Sequence, residues 1–524
     1  MNLKKQNVVQ DPIGGLWLAN ITETEAFQPL PVISGIAGRR STLREIETGF
    51  RTELYQESSR PADTIIAHLQ FYLRNEIPHL EFLQRLFKNI GATHIQNWIN
   101  QEPTGQYARR AAFLYEWLTG DMLSVPYNLG GNYIDVLNSE KVVTASKHKI
   151  EKNERWRVNN NLAGTPDFCP ILLKTENFTQ AADLDIAELL NNLVDEFGEE
   201  LILRSSVWLT LRESKASFKI EGESKQTSRI QRFADVIARY TGQGELPINP
   251  EQLSKLQQSI LGNKTILGEY GIRQSPVFVG QTIHFDEVVH YIAPPHQTLI
   301  AKLKGLQQFW QKTEGQSSII RSAVIAFGFV YIHPLADGNG RVHRFLFNDI
   351  LRRDGVLPAS IILPISGVIA ESATERQSYF ALLDEISKLL MQNIRGDYAF
   401  SKEKVKYADG ITSNLIFTNT ENAEPLWRFP NLTKHVEYLS RLIKHVITND
   451  MHQESAYLLN HQNAREAIKE IIEMPNQYAD RIIRSILQNQ GQRSNKLIKE
   501  FEFLADDDLW EKLKAVVRDC FEKY

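Results

Sequence analysis

The chain has 524 residues, enough for roughly three or four domains at ~150 residues each. Its 42% hydrophobic and 23% charged residues are ordinary for a globular protein, and a net charge of -4 gives no global signal for nucleic acid or an acidic membrane surface. Two cysteines, Cys169 and Cys520, lie far apart without CxxC spacing, which fits a reducing compartment and excludes a disulfide framework or a cysteine-rich metal site. The polar start Met1-Asn2-Leu3-Lys4-Lys5-Gln6 lacks the apolar run of a signal peptide, and no stretch is apolar enough to span a bilayer, so a cytoplasmic location is expected.

Residues 1 to 60 are rich in Pro, Gly and Thr and predict an irregular arm with one helix near 43–50. From 64 to 99 apolar residues recur at helical spacing (Ile65, Leu69, Leu73, then Leu80, Leu83, Leu86), with Pro78 as the break between two helices. A third helix over 107–119 stops at Gly120. Loops and short strands follow, in which Arg155-Trp156-Arg157 reads as an arginine pair flanking a buried Trp. The helical pattern returns over 182–222 with an interruption near Gly198, and then over 229–240 and 251–261. The period changes at 271–292, where β-branched residues bounded by Gly and Pro predict a hairpin. An amphipathic helix over 298–313 precedes a nearly all-apolar one over 318–331, which must be central. Pro334 stops it, a further helix starts at Gly340-Arg341, and another covers 375–391. The polar stretch 397–432 reads as a linker, and 433–524 as helical again.

Between the two apolar helices lies His333-Pro334-Leu335-Ala336-Asp337-Gly338-Asn339-Gly340-Arg341-Val342-His343-Arg344. A helix N-terminus presents free N–H groups and a positive dipole end to an anion. Gly338 and Gly340 let the backbone approach a phosphate, and Arg341 and Arg344, three apart on the first turn, can fork onto the same anion. Asp337 suits Mg²⁺ shared with phosphate oxygens, and His333 is a general base with an ordinary pKa near working pH. Together these describe phosphoryl or nucleotidyl chemistry. Calcium binding is excluded, because aligning Gly338 with the loop glycine of an EF-hand puts Arg344 where the bidentate Glu belongs. His343 is expected on the solvent or partner side of its helix, with no role.

The twelve residues from His333 to Arg344 resemble the signature of the Fic family, H-x-F-x-[DE]-G-N-G-R-x-x-R, with Leu335 in place of the usual Phe. The apolar spacing predicts a mainly α protein with helical regions of unassigned role over 1–181 and 433–524, and the resemblance implies a Fic-type helical core over 182–396 with a β-hairpin flap over 277–292. It implies a transferase moving AMP from the co-substrate ATP to a protein Ser, Thr or Tyr hydroxyl. In that reading His333 is the base, Asp337 holds Mg²⁺, Gly338, Asn339 and Gly340 form the anion hole, and Arg341 and Arg344 hold the phosphate tail. The target would register on the flap by adding a strand. Glycine at 340, where the related Doc kinases carry lysine, favours nucleotidyl transfer over phosphorylation.

Ser217-Phe218-Lys219-Ile220-Glu221-Gly222 is similar to the family's inhibitory motif, [ST]-x-x-x-E-[GN]. A spacing of four puts Ser217 and Glu221 on one helix face. The resemblance implies that Glu221 pairs with Arg344 and denies the γ-phosphate its productive pose. Two other readings remain open: a phosphodiesterase that removes AMP from protein through the same site, and a silent nucleotide-binding adaptor. Self-modification and homo-oligomerisation also stay open.

Overall fold

The computed structural model describes residues 9–45, 49–223, 225–283 and 286–522. It is mainly α, with four small sheets among the described residues. Helix ends follow local chemistry. Asn249 accepts a hydrogen bond from the Gln252 N–H and is followed by Pro250, so Pro250–Leu261 starts on a capping side chain with proline at its first position. Gln106–Thr119 ends on Gly120, which takes φ 81°. Near 43–50, where a helix was expected, Ser41–Arg44 is a strand paired antiparallel with Arg51–Tyr55, and residues 46–48 lie outside the described ones. Ladder hydrogen bonds to a neighbouring strand outweigh the weak helical pattern of so short a stretch.

Contacts divide the chain into two units. One comprises Met1–Leu184, Ser214–Val356 and Ser366–Arg441; the other comprises Asp185–Glu213, Leu357–Ile365 and Leu442–Tyr524. In the first, the N-terminal part is built on Ile65–Asn75, Leu80–Gln101 and Gln106–Thr119 around Leu83, Phe87, Phe113 and Leu114. A four-stranded sheet flanks it in the order Pro12–Ile13, Val32–Ile36, Arg51–Tyr55, Ser41–Arg44. Trp156 is fully buried and donates to Glu116 Oε2 at 2.8 Å, while Arg155 pairs with the same carboxylate. The buried Trp is as the sequence suggests, whereas the arginines expected in solvent are tied to protein groups, Arg155 to Glu116 and Arg157 to the Gly131 carbonyl.

The helix Ser318–Ile332 is the centre of this unit, with Ile319 through Phe329 all buried. It packs against His296–Lys312 and against the motif helix Asn339–Arg353. The hairpin Phe278–Ile283 and Asp286–Ile292 carries a register shift between Val279 and Gly280. Gly280 suits that bulge, because a Cβ there would lie 2.3 Å from the Val288 carbonyl oxygen. The stretch expected as a linker is structured: Tyr398–Lys406 and Thr412–Phe417 form a second hairpin, followed by the helix Thr420–Arg428. Phe278 and Phe400 meet edge-on with ring centres 5.2 Å apart, so the two hairpins are neighbours.

The second unit is helical. Its core gathers Ala464, Ile468, Ile482, Ile483, Ile486, Trp510, Leu513 and Val517 from His452–Ile471, Asn476–Gln488 and Asp507–Glu522. Among the described residues no helix is long and apolar enough to cross a membrane.

Candidate active site

The loop from His333 to Gly338 is shaped by two left-handed residues. Gly338 takes φ 89° and starts the motif helix, a conformation that glycine adopts without strain. His333 takes φ 50° and ψ 55° at the end of the central helix, a costly conformation for a residue with a Cβ, held here by its surroundings. Its N–H donates to the Phe329 carbonyl at 2.9 Å. Its Nδ1 lies 3.1 Å from the Val330 carbonyl, an acceptor only, so Nδ1 carries the proton and Nε2 is bare. Burial, reinforced by the nearby Arg273 charge, pushes the imidazole down to about 4. The ring is therefore neutral well below the working pH that its residue type suggested.

Asn339 is 3% exposed, and its side chain is spent on the loop. Its Oδ1 accepts from the Leu335 N–H at 3.0 Å, and its Nδ2 donates to the Leu335 carbonyl at 2.7 Å. The side chain of the expected anion-hole asparagine thus braces the loop. Leu335 is fully buried in the place of the usual Phe and bridges to Ile272. Gln257, which sequence reasoning missed, joins two neighbouring segments: it donates to the Asp337 carbonyl at 2.9 Å and accepts from the Gly271 N–H at 2.7 Å. The Asp337 residue itself is exposed.

Arg341 and Arg344 are 4% and 3% exposed, and both guanidiniums are engaged. Arg344 Nη2 pairs with Glu221 Oε1, and Arg344 Nε donates to Ser217 Oγ at 2.6 Å. Arg341 Nε reaches Glu221 Oε2 at 2.8 Å, and its Nη2 reaches Glu223 Oε2 at 3.1 Å. The guanidinium carbon of Arg341 also stands 4.8 Å over the Phe218 ring. Glu221 therefore bridges both arginines, where the resemblance implied Arg344 alone. Burial works against its charge, but Arg344 and Arg341 outweigh that and hold the carboxyl below its ordinary range. A Cβ at Gly340 would meet Glu221 Oε1 at 2.6 Å. The carboxylate thus sits over the first turn of the motif helix, where its dipole favours an anion.

His343 corrects an expectation. It is fully buried, its Nδ1 donates to the Ala326 carbonyl at 2.7 Å, and its ring packs on Phe327 and Phe347. Burial pushes the imidazole down to about 3. The motif helix is enclosed on most sides, so a polar residue type at 343 does not mark a solvent face.

Residues 247–351 match the model of the Fic/DOC family. That segment of the chain is similar to a Fic domain. The match begins just before the helix that carries Gln257 and ends within the motif helix. Similar proteins include Protein adenylyltransferase Fic of Drosophila virilis, 30% identical over 123 residues, covering 23% of each chain. Protein adenylyltransferase fic-1 of Caenorhabditis briggsae is 29% identical over 119 residues, covering 22% of each chain. The match thus spans less than a quarter of these relatives. A Fic family protein from Desulfovibrio desulfuricans G20 of known structure covers 64% of this chain and 89% of its own, with 17% identity and a TM-score of 0.36. Ser217, Glu221 and Glu223 lie outside the matched Fic segment, so the carboxylates paired with Arg341 and Arg344 are supplied by a part of this chain that the family model does not describe.

Proposed function

We propose that this chain is a protein adenylyltransferase that moves AMP from ATP to a protein hydroxyl, and that Glu221 holds it inactive. One observation carries the reading: a neutral His333 with a bare Nε2 ends the helix before a loop whose two following arginines are already bridged by one carboxylate. Nε2 takes the hydroxyl proton as the hydroxyl oxygen attacks the α-phosphorus, and pyrophosphate leaves. The first-turn N–H groups, Arg341 and Arg344 receive the phosphates once Glu221 has withdrawn. The names of the similar proteins from Drosophila virilis and Caenorhabditis briggsae support this chemistry.

Among the described residues no cluster of three or more His, Cys, Asp or Glu could hold a metal unaided. A single exposed carboxylate at Asp337 fits a cation that takes its other ligands from phosphate and water, which is the habit of Mg²⁺. Bound there, Mg²⁺ would neutralise phosphate charge. The target segment registers as an added strand on the flap over 277–292, whose outward Val279 and Val288 are 43% and 36% exposed.

The test incubates wild type, Glu221→Gly and His333→Ala with Mg²⁺ and ATP labelled at the α-phosphate. Label on protein should rise with Glu221→Gly and vanish with His333→Ala. No label from any of them refutes the transfer reading. Loss of label from a pre-modified protein that needs an intact Glu221 would instead establish the phosphodiesterase.

A further inference from the structure

Arg273 is fully buried just before the flap, and its side chain binds backbone oxygens. Its Nε donates to the His333 carbonyl at 2.8 Å, its Nη1 to the Ser275 carbonyl at 2.8 Å, and its Nη2 to the Pro294 carbonyl at 2.6 Å. Its own N–H donates to the Pro334 carbonyl at 2.9 Å. One guanidinium therefore ties His333 to chain on both sides of the flap: Ser275 precedes the first strand and Pro294 follows the second. A second tie runs parallel, from the Tyr291 hydroxyl on the flap to the Tyr331 carbonyl, two residues before His333.

Asp409, at the turn of the second hairpin, holds the same segment. Its Oδ2 accepts from the N–H groups of Gln274 and Ser275, each at 2.8 Å, and from Ser275 Oγ at 2.7 Å. Its charge acts on Arg273 from beyond those bonds. A buried guanidinium whose donors go to neutral carbonyls keeps its full positive charge beside the histidine.

The geometry points to Arg273 as a positioning residue that fixes the left-handed backbone of His333, aims its Nε2, and couples that aim to the seating of the flap. The inference rests on His333 being the base of the transfer reaction. It separates two contributions of one side chain. The fork of donors holds the His333 carbonyl, and so the strained φ of 50°. The charge opposes protonation of the ring. Among the described residues, the titratable groups that bear on this arrangement are Tyr291, which holds the Tyr331 carbonyl and acts on Arg273, Asp409, which also acts on Arg273, and Asp337, four residues on in the loop.

Three full-length proteins, wild type, Arg273→Lys and Arg273→Gln, are labelled with ¹⁵N-histidine, and His333→Asn assigns the resonance. Lysine keeps the charge and loses the fork; glutamine loses both. The wild-type imidazole should stay Nδ1-protonated and take its second proton only near 4. In Arg273→Gln its titration should move up while staying below 6.5, because burial, the larger cause, is unchanged, and in Arg273→Lys it should stay low. Paired with Glu221→Gly, Arg273→Lys should lower the turnover of AMP transfer by ~10- to 100-fold through misaim alone. A His333 titration identical in all three proteins overturns the inference. So does Arg273→Lys that folds and transfers as wild type does. If no protein transfers AMP while the titration still moves with Arg273→Gln, the tie between the Arg273 charge and the His333 ring stands, and the transfer reading falls together with the aim assigned to Nε2. If Arg273→Gln does not fold, Arg273→Lys alone decides, because a merely structural role would lower its melting temperature and leave turnover per folded molecule intact.

Discussion

Replacing Glu221 with Gln should make the protein less stable and a tighter nucleotide binder at once. Glutamine keeps the shape and one acceptor oxygen but removes the charge that Arg341 and Arg344 share. Removing one partner of a fully buried ion pair costs ~3–5 kcal/mol. Here the carboxylate is 25% exposed and Glu223 still pairs with Arg341, so the expected loss is discounted to ~1–3 kcal/mol. On the proposed reading, ATP must break that same interaction in the wild type in order to bind. Relieving it returns ~1–3 kcal/mol to the nucleotide, which is ~5- to 150-fold in affinity. Thermal unfolding with and without Mg²⁺–ATP, together with calorimetric titration, reads both quantities. The melting temperature of Glu221→Gln should fall without ligand and rise further than that of wild type when ATP is added. A variant that is destabilised yet binds ATP no tighter would refute the reasoning, because the carboxylate would then hold the fold without occupying the nucleotide's place.

Three further outcomes follow from the same geometry. Because the Glu221 carboxyl is held below its ordinary value of 4.5, its pairing stabilises the fold fully above that pH and is lost as pH falls through the folded value. The gap in melting temperature between wild type and Glu221→Gln should accordingly be complete at pH 7 and close in acid, measured by calorimetry across pH. Gly340→Ala puts a methyl group 2.6 Å from Glu221 Oε1 and into the nest, so in the Glu221→Gly background it should weaken ATP binding and cut transfer. His343→Ala leaves a cavity among Phe327, Phe347 and Tyr379 and should cost ~2–4 kcal/mol in urea unfolding, whereas a surface histidine would cost almost nothing.

What could be read from the sequence was local in the chain. The motif lies within twelve residues between two helices, and its loop geometry follows from which residues tolerate a left-handed backbone and which cap a helix. Ser217 and Glu221 were legible for the same reason, since a spacing of four fixes a helix face whatever lies opposite. The side chains that position this loop were not. Arg273 meets His333 across 60 residues and Asp409 meets Ser275 across 134, and both act on backbone groups, which carry no sequence signature. The stretch around Asp409 looked like a linker because its strands are polar and short; what makes it structure is its seat against the flap, at Phe278 and Phe400. Glu223 stands two residues past Glu221, off the helix face that drew attention, and reaches Arg341 only because the chain has left the helix by then.

The arginines around the site divide by what they hold, and the division separates scaffold from switch. Arg273 donates to neutral carbonyls in a fully buried place, and no anion can offer it more without breaking the backbone that it clasps. Arg341 and Arg344 hold carboxylates at the N-terminus of a helix. A carboxylate there can be exchanged for a phosphate, anion for anion, with the donors, the helix dipole and the local charge balance all preserved. Glu221 and Glu223 together bring two negative charges, about what ATP retains once Mg²⁺ has neutralised part of its tail. On the proposed reading, the state with Glu221 in place imitates the charge of a nucleotide-bound state, which would leave the anion site formed before the nucleotide arrives. On that reading, release would require only that the segment after Ile220 swing its two carboxylates aside, while the loop under Arg273 stays where it is.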